Sequence, residues 1–562
     1  MSFLRYGSWL FQSVQSIFPH AVMRLFVRTA FMNIEQIRAA AETQAWYLCD
    51  PACLKICVGS SAADPVAARI VNLLQSAIEK ENLEARVFRA GSFGCYDLEP
   101  IVTVEMPGRF AVLYNNATPE KVADYIHEAD SATLEIIKPF CYIGSENFGD
   151  VPYISELPLA SLQNRVALRN CGWIDPDDIN HYIFRGQGYM GLSNAFRMTP
   201  REITESLIPS ALKGRGGPGC STGEKWKLAG PDNAGGYLIC NAVDPDPEAL
   251  TGRLLLESDP HSVLEGMLIG AYVAGASRCI LLVQGKTEAV KRLGSALEQM
   301  RTYNLLGSNI LDSKFTAEIK IEEMPPALAS GHRIELFRCL EEKRSLPHML
   351  PGHPAALEIT GHPVIIVNPE SMSCLSAFLC NAMKYRTGTK VVTLLGSVNH
   401  KSVAEVPLGT TIQRVIDLLG GGVSNGKSIK AVQIGGPNGL FMAPESLDLP
   451  IGCSEDEESV SNIGSGSIKV LDADSRIVDT MKEVMAYIQV QSCGKCVFCR
   501  EGCLQILSIL EDLSENKNRP DDLDLLVTIC EEMKTGCLCA FGRAVPDAVI
   551  TGLKIFRADC EK

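Results

Sequence analysis

Long apolar runs are missing from this sequence. The longest apolar stretches, such as 355–367, are interrupted by His, Glu or Pro. None approaches the ~18 uninterrupted apolar residues of a membrane-spanning helix. Basic residues are also in short supply: 52 Lys and Arg stand against 66 Asp and Glu, a formal net charge of −14. That balance argues against nucleic acid as a partner. Cysteine is too sparse for a disulfide scaffold, 21 in 562 residues, and the number is odd. With no clear secretory signal, the chain reads as cytoplasmic, with reduced thiols of which some are metal ligands. No internal repeat is visible. A hydrophobic content of 46% and a charged content of 21% exclude a disordered polypeptide.

The first 34 residues contain no Asp or Glu but do contain Arg5, Arg24 and Arg28. Three readings fit: an Arg-rich transit peptide, a start codon that is really Met23 or Met32, or an interfacial helix. The preferred expectation is a wrong start or a dispensable arm, with residues 1–52 as an N-terminal extension. The remaining length suits about four domains, and the pattern predicts an α/β multidomain fold. Residues 53–135 alternate strands (54–58, 85–88), an amphipathic helix (66–81, with Ile70, Leu73, Leu74 and Ile78 at helical spacing) and a hairpin (101–104 with 110–114), a thioredoxin-like arrangement. Residues 136–199 form a polar, aromatic connector. Residues 200–387 alternate strands (237–240, 278–283, 318–322) with helices (260–274, 287–303), a Rossmann-like α/β unit that binds its ligand at the loops. Residues 388–450 look β-grasp-like (soluble-ligand-binding-like), with strands over 390–395 and 431–434 and a helix over 410–419. The acidic, Ser- and Gly-rich stretch within 451–475 reads as a linker, and 476–562 as a Cys-dense helical domain.

Chemistry concentrates in two motifs. Ser492-Cys493-Gly494-Lys495-Cys496-Val497-Phe498-Cys499-Arg500-Glu501-Gly502 places three thiols at a spacing of three. A tight coil can turn them to one point. A fourth can come from Thr535-Gly536-Cys537-Leu538-Cys539-Ala540-Phe541-Gly542. Cys-x2-Cys-x2-Cys with a distant Cys is the ligand set of a [4Fe–4S] cluster: Cys493, Cys496, Cys499 and, as fourth ligand, Cys539. Cys503, Cys530 and Cys537 are then packing thiols. Zinc and uncoordinated buried thiols are the rivals.

The second motif is Gly214-Arg215-Gly216-Gly217-Pro218-Gly219-Cys220-Ser221-Thr222-Gly223-Glu224-Lys225-Trp226. Its glycines let backbone N–H groups approach an anion, and Arg215 and Lys225 add positive charge for a phosphate. A flexible surface loop is the bland alternative. The spacing matches neither a Walker loop nor the dinucleotide fingerprint.

Taken together, the motifs resemble the flavin-and-NADH-binding subunit of respiratory complex I. They equally resemble the related diaphorase subunits of soluble hydrogenases and formate dehydrogenases. The family's loop, Gly-Arg-Gly-Gly-Ala-Gly-Phe-Pro-Thr-Gly-Leu-Lys-Trp, is largely retained at 214–226. Residues 237–241, 253–257, 392–407 and 492–502 also look like the family. The resemblance implies FMN bound by Gly214, Arg215, Gly216, Gly217, Lys225, Asn241, Asp244, Gly331 and Asn368, with electrons leaving through the cluster. It implies partner subunits: a thioredoxin-like ferredoxin and a cluster-rich electron acceptor. The segment 367–372 stands where the family has Val-Asn-Asn-Val-Glu-Thr. Asn368 survives there, Pro369 replaces the second Asn and Met372 replaces the Thr.

Two family features are altered. The first domain often holds a [2Fe–2S] cluster on Cys-x4-Cys and Cys-x3-Cys. Here the four places are Cys57, Ala62, Ser92 and Tyr96, with Cys95 one position off, so no [2Fe–2S] centre is expected. In the nucleotide half, Cys220 and Leu228 replace two Phe, and Gly331-His332-Arg333-Ile334 replaces Gly-Glu-Glu-Thr. Leu350 and His353 replace the Lys and Phe beside the adenine, while Asp246 is still in place. The expectation is therefore an iron–sulfur flavoprotein subunit of a soluble oxidoreductase that binds NADH poorly. The alternatives are a working NAD(P)H dehydrogenase, with His332, Arg333 and His353 favouring NADPH, and a non-enzymatic cluster-bearing scaffold.

Overall fold

The computed structural model describes residues 32–50, 52–107, 110–131, 138–144, 150–185, 187–210, 212–215, 221–229, 236–244, 246–324, 358–359, 362–381, 388–437, 439–452 and 463–560. Expectations for residues 1–31, Gly216, Gly217, Cys220, Gly331–Ile334, Leu350 and His353 lie outside the described residues. Among the described residues the architecture is mixed α/β, with three five-stranded sheets followed by a helical C-terminal region.

Helix α1 (Ile34–Gln44) opens with a reciprocal capping box between Asn33 and Gln36 and buries Ile34, Ile37 and Ala41. These side chains join the largest core of the molecule. The stretch from Asn33 onward, part of the N-terminal extension expected over 1–52, thus belongs to the packed body. A polar N-cap and an i, i+3, i+7 apolar stripe are the local reason.

The first sheet contains β1 (Leu54–Gly59), β2 (Ala85–Ala90), β3 (Ile101–Glu105), β4 (Ala111–Tyr114) and β5 (Cys141–Ile143) in the order β2-β1-β3-β4-β5. β1 and β2 are parallel and joined by α2 (Pro65–Glu81); the other pairs are antiparallel. Asp64 caps α2, Pro65 starts it, and left-handed Asn82 ends it. Ala67, Ile70, Leu74 and Ile78 face the sheet. Leu73, expected on that face, is 39% exposed.

The second sheet has β6 (Tyr237–Ala242), β7 (Arg278–Gln284), β8 (Glu318–Met324), β9 (Glu358–Ile359) and β10 (His362–Val367) in the order β8-β7-β6-β10-β9, parallel except for β9. Around it lie α3 (Thr222–Ala229), α4 (Thr251–Ser258), α5 (Pro260–Ala274) and α6 (Pro369–Cys380). α5 is buried on every side except at Tyr272. A Cβ on Gly266 would fall 2.1 Å from the carbonyl oxygen of Met372. Glycine is what lets α5 and α6 touch backbone to backbone.

The third sheet has β11 (Thr389–Gly396), β12 (Ser402–Pro407), β13 (Ile429–Ile434), β14 (Leu440–Met442) and β15 (Ser467–Asp472), ordered β12-β11-β15-β13-β14. This corrects the linker expected over 451–475: β15 lies inside it and is the central strand, parallel to β11 and antiparallel to β13. The Ser- and Gly-rich flank hides the short apolar alternation of Ile468 and Val470, both fully buried. The helix expected over 410–419 is one α-turn, Ile412–Arg414, continued by a π-helical turn, Val415–Leu419.

The C-terminal region is helical: α7 (Ile477–Gln491), α8 (Val497–Ser514), α9 (Asp522–Gly536), α10 (Ala540–Ala544) and α11 (Pro546–Cys560). One core, which includes several buried cysteines, holds these helices together. Among the described residues no helix is long and apolar enough to cross a membrane.

Candidate cofactor sites

The described residues on either side of the glycine-rich segment, up to Arg215 and from Ser221, are tied to one another. A bridge between Lys213 and Ser221 and a bond from the Thr222 amide to the Leu212 carbonyl (3.1 Å) close its base. α3 starts at once, and Lys225, one turn in, donates to the carbonyl of Ile366 at the end of β10. Arg215 is buried; its amide donates to Ser371 Oγ at 3.2 Å, and its Nε lies 4.0 Å from Glu370 Oε1. Two buried N–H donors here, Arg215 Nε and Trp226 Nε1, have no acceptor among the described residues. A buried donor left unpaired costs about 1–3 kcal/mol. Arg215 Nε, at the loop itself, fits an anionic group such as the FMN phosphate.

Asn368 caps α6, accepting from the Ser371 amide at 2.8 Å, and Pro369 occupies the first helical position. Proline costs little there, where its missing N–H has no intrahelical partner. The hydroxyl sought at position 372 is found at Ser371, which meets the loop, whereas Met372 is fully buried in the core. Asn241 accepts from the Val243 amide at 3.1 Å at the end of β6. Asp244 spends its carboxylate on the Gly252 and Arg253 amides at the start of α4. Burial, then the neighbouring Asp246, push its pKa up to about 7 against the pull of Lys390. Asp246 accepts from Ser465 Oγ (2.9 Å), from Ser467 Oγ and from the Glu248 amide (3.0 Å). The one acidic residue retained for the nucleotide is therefore held by the third sheet.

The second site lies at the α7–α8 junction. Cys493 is exposed on the loop, Cys496 is the N-cap of α8, and Cys499 sits in the first turn of α8; the last two are buried. Arg500 Nη1 pins the loop through the Gly494 carbonyl at 2.7 Å. Cys537 ends α9 and Cys539 caps α10, both buried. A Cβ on Gly542 would meet Cys537 Sγ at 2.9 Å and Cys499 Cβ at 3.5 Å, so this glycine brings the two segments together. Hydrogen bonds from Cys503, then Cys537, with help from Ser492 and Cys496, hold the Cys499 thiol well below its usual range. Cys503 and Cys537, taken from sequence as packing thiols, thus line the site, while Cys530 is simply buried. Of the four expected ligands, Cys496 and Cys499 are in hydrogen-bond contact, and among the described residues no three donors stand as a ready metal site; soft sulfur donors at a helix N-terminus are the chemistry an iron–sulfur cluster takes.

At the four positions of the first sheet's unit where a second cluster was considered, Cys57 lies buried on β1, with its thiol 3.8 Å from the Gly172 carbonyl. Ser92 Oγ and the Phe93 amide donate to Glu99 Oε1 at 2.6 and 2.9 Å, and the Ser61 amide donates to Glu99 Oε2 at 3.0 Å. Arg89 Nη2 donates to the carbonyls of Ser61, Ala62 and Asp64. A carboxylate and a guanidinium therefore cross-link the two loops. Sequence reasoning missed both, because nothing local marks either residue.

Comparison with known proteins gives the class first. Residues 209–377 match the family model described as the Nuo51 FMN-binding domain. Residues 479–562 match that of the NADH-ubiquinone oxidoreductase-F iron-sulfur binding region. The chain is 36% identical over 409 residues to the NADP-reducing hydrogenase subunit HndC of Solidesulfovibrio fructosivorans, covering 71% of this chain and 83% of that protein. It is 30% identical over 387 residues to the F subunit of the NADH-quinone oxidoreductase of Escherichia coli (strain K12), covering 66% and 87%. An NAD+-reducing [NiFe]-hydrogenase in the H2-reduced state shares the fold, with a TM-score of 0.61 at 21% identity, covering 93% of this chain and 86% of that one. The chain belongs to the family of the NADH-quinone oxidoreductase F subunits, and carries both their FMN-binding domain and their [4Fe–4S] binding region.

Proposed function

We propose that this chain is the electron-transfer subunit of a multisubunit oxidoreductase, holding FMN at the glycine-rich loop and a [4Fe–4S] cluster at the α7–α8 junction. The observation that carries it is the buried Arg215 Nε of the loop, which has no acceptor among the described residues, in a chain whose Cys499 is ringed by other thiols. FMN supplies the exchange between two-electron and one-electron steps, and the cluster takes electrons singly. Gly214, Arg215, Gly216, Gly217, Lys225 and Trp226 would neutralise and orient the phosphate end. Asn241, Asn368, Ser371 and Gly331 complete the pocket, with Asp244 anchoring α4 beside it. Cys493, Cys496, Cys499 and Cys539 are the cluster ligands on this reading. The three sheets are read as thioredoxin-like, Rossmann-like and β-grasp units. Partners are other subunits of the assembly, including a thioredoxin-like ferredoxin and a cluster-rich acceptor.

On this reading NADH is bound weakly by the chain alone. Asp246 is engaged by Ser465 and Ser467, and the family's aromatic residues at 220, 228 and 353, its acid at 333 and its Lys at 350 are replaced. Binding energy to position a nicotinamide is then missing. Anaerobically purified protein should show a flavin band that dithionite bleaches and stoichiometric NADH does not bleach within seconds. Rapid bleaching by NADH would establish a working dehydrogenase instead, and a protein without flavin would establish a cluster-bearing scaffold.

A further inference from the structure

Three buried charges from three separate elements meet behind the flavin loop. Lys390, on β11 of the third sheet, is 4% exposed, and its Nζ donates to Glu370 Oε2 at 2.6 Å. Glu370, in the first turn of α6, is 3% exposed, and its other oxygen accepts from the Val391 amide at 2.8 Å. That same oxygen faces Arg215 Nε across 4.0 Å, a distance that leaves the guanidinium Nε without an acceptor among the described residues. The triad thus carries two positive charges and one negative. Uncompensated charge out of water is costly until an anion reaches it. Lys390 also acts on Asp244 through its charge. The third sheet therefore reaches into the second sheet's site with one side chain.

We propose that Lys390 is a positioning residue of the flavin site: by occupying Glu370 it keeps that carboxylate from capturing Arg215, and so leaves the guanidinium for the flavin phosphate. The proposal rests on the FMN reading above. It adds that docking of the third sheet sets the affinity for a phosphate-bearing flavin. Without Lys390, Glu370 turns its full charge on Arg215, and the net positive charge of the site disappears.

The test is titration of the full-length, flavin-depleted protein with FMN and with riboflavin, followed by flavin fluorescence, with iron content as the check on folding. Lys390→Met should weaken FMN by about tenfold or more while riboflavin changes by less than about threefold. The double variant Lys390→Met/Glu370→Gln restores the net charge of +1 and removes the capturing carboxylate. It should return FMN to within about threefold of the wild type. FMN binding unchanged in Lys390→Met, equal losses for FMN and riboflavin, or a double variant as weak as the single would each overturn the proposal. Should Lys390→Met fail to fold, the double variant against the wild type still decides. A wild type that binds no FMN at all would overturn the underlying functional reading rather than the role of Lys390.

Discussion

Replacing Arg215 with Met separates a ligand-binding residue from a structural one, because the two roles predict opposite signs. The guanidinium is 7% exposed and its Nε lacks an acceptor among the described residues. In the flavin-free protein that donor is a liability of about 1–3 kcal/mol. Methionine keeps much of the apolar stem. Glu370 retains Lys390 and the Val391 amide, so no carboxylate is stranded. The flavin-free variant should therefore unfold at the same urea midpoint as the wild type or a higher one. With flavin the sign reverses. A charge-assisted bond is worth about 1.5–3 kcal/mol, which at about 1.4 kcal/mol per decade weakens FMN by roughly 10- to 100-fold. Paired measurements of urea midpoint without flavin and FMN affinity by fluorescence titration check this. A variant that loses stability while binding FMN normally would refute the argument, since Arg215 would then serve the fold alone.

Anaerobically purified wild type should carry about four Fe per chain, as one cubane cluster requires, and Cys496→Ser should abolish it; zinc in place of iron would overturn the ligand assignment. Cys95→Ser should leave the iron count unchanged, because of the four positions Cys57, Ala62, Ser92 and Tyr96 only one carries a thiol; a loss of about two Fe would reveal a second cluster. Asp244 titrates near 7 in the fold against an ordinary 3.8, so the stability it contributes is full below about 4 and is lost as pH rises toward 7. The urea midpoint of wild type relative to Asp244→Asn should accordingly fall from pH 4.5 to pH 7.5 (about 1.4 kcal/mol per unit at most), and parallel profiles would refute it. Gly266→Ala should destabilise by about 1–3 kcal/mol or more, since its methyl would meet the Met372 carbonyl at 2.1 Å; an unchanged melting temperature would contradict the close packing of α5 and α6.

The chemistry of this protein was legible in its sequence because it resides in local patterns. Thiols at a spacing of three, a run of glycines beside Arg215 and Lys225, and the apolar period of α2 each act over a few residues. Chain order alone therefore locates the flavin loop and the cluster loop. What could not be read locally is what depends on partners distant in sequence. β15 is the middle strand of the third sheet only because β11 and β13 lie on either side of it; by itself it is six residues at the end of a polar stretch. Asn33 to Gln44 reads as an N-terminal extension until the core these residues complete is assembled. Cys537 becomes part of the thiol site only once α9 is folded against α8, whereas Cys503 meets Cys499 one turn along α8 itself. Glu99 and Arg89 staple loops that their own neighbourhoods do not mark. Lys390 is an ordinary strand lysine in the sequence and a buried partner of Glu370 in the fold. Burial and charge pairing are properties of the assembled interior, where water is excluded and a single unpaired group costs as much as a substantial fraction of the net stability. Only the tertiary structure decides which charges meet there.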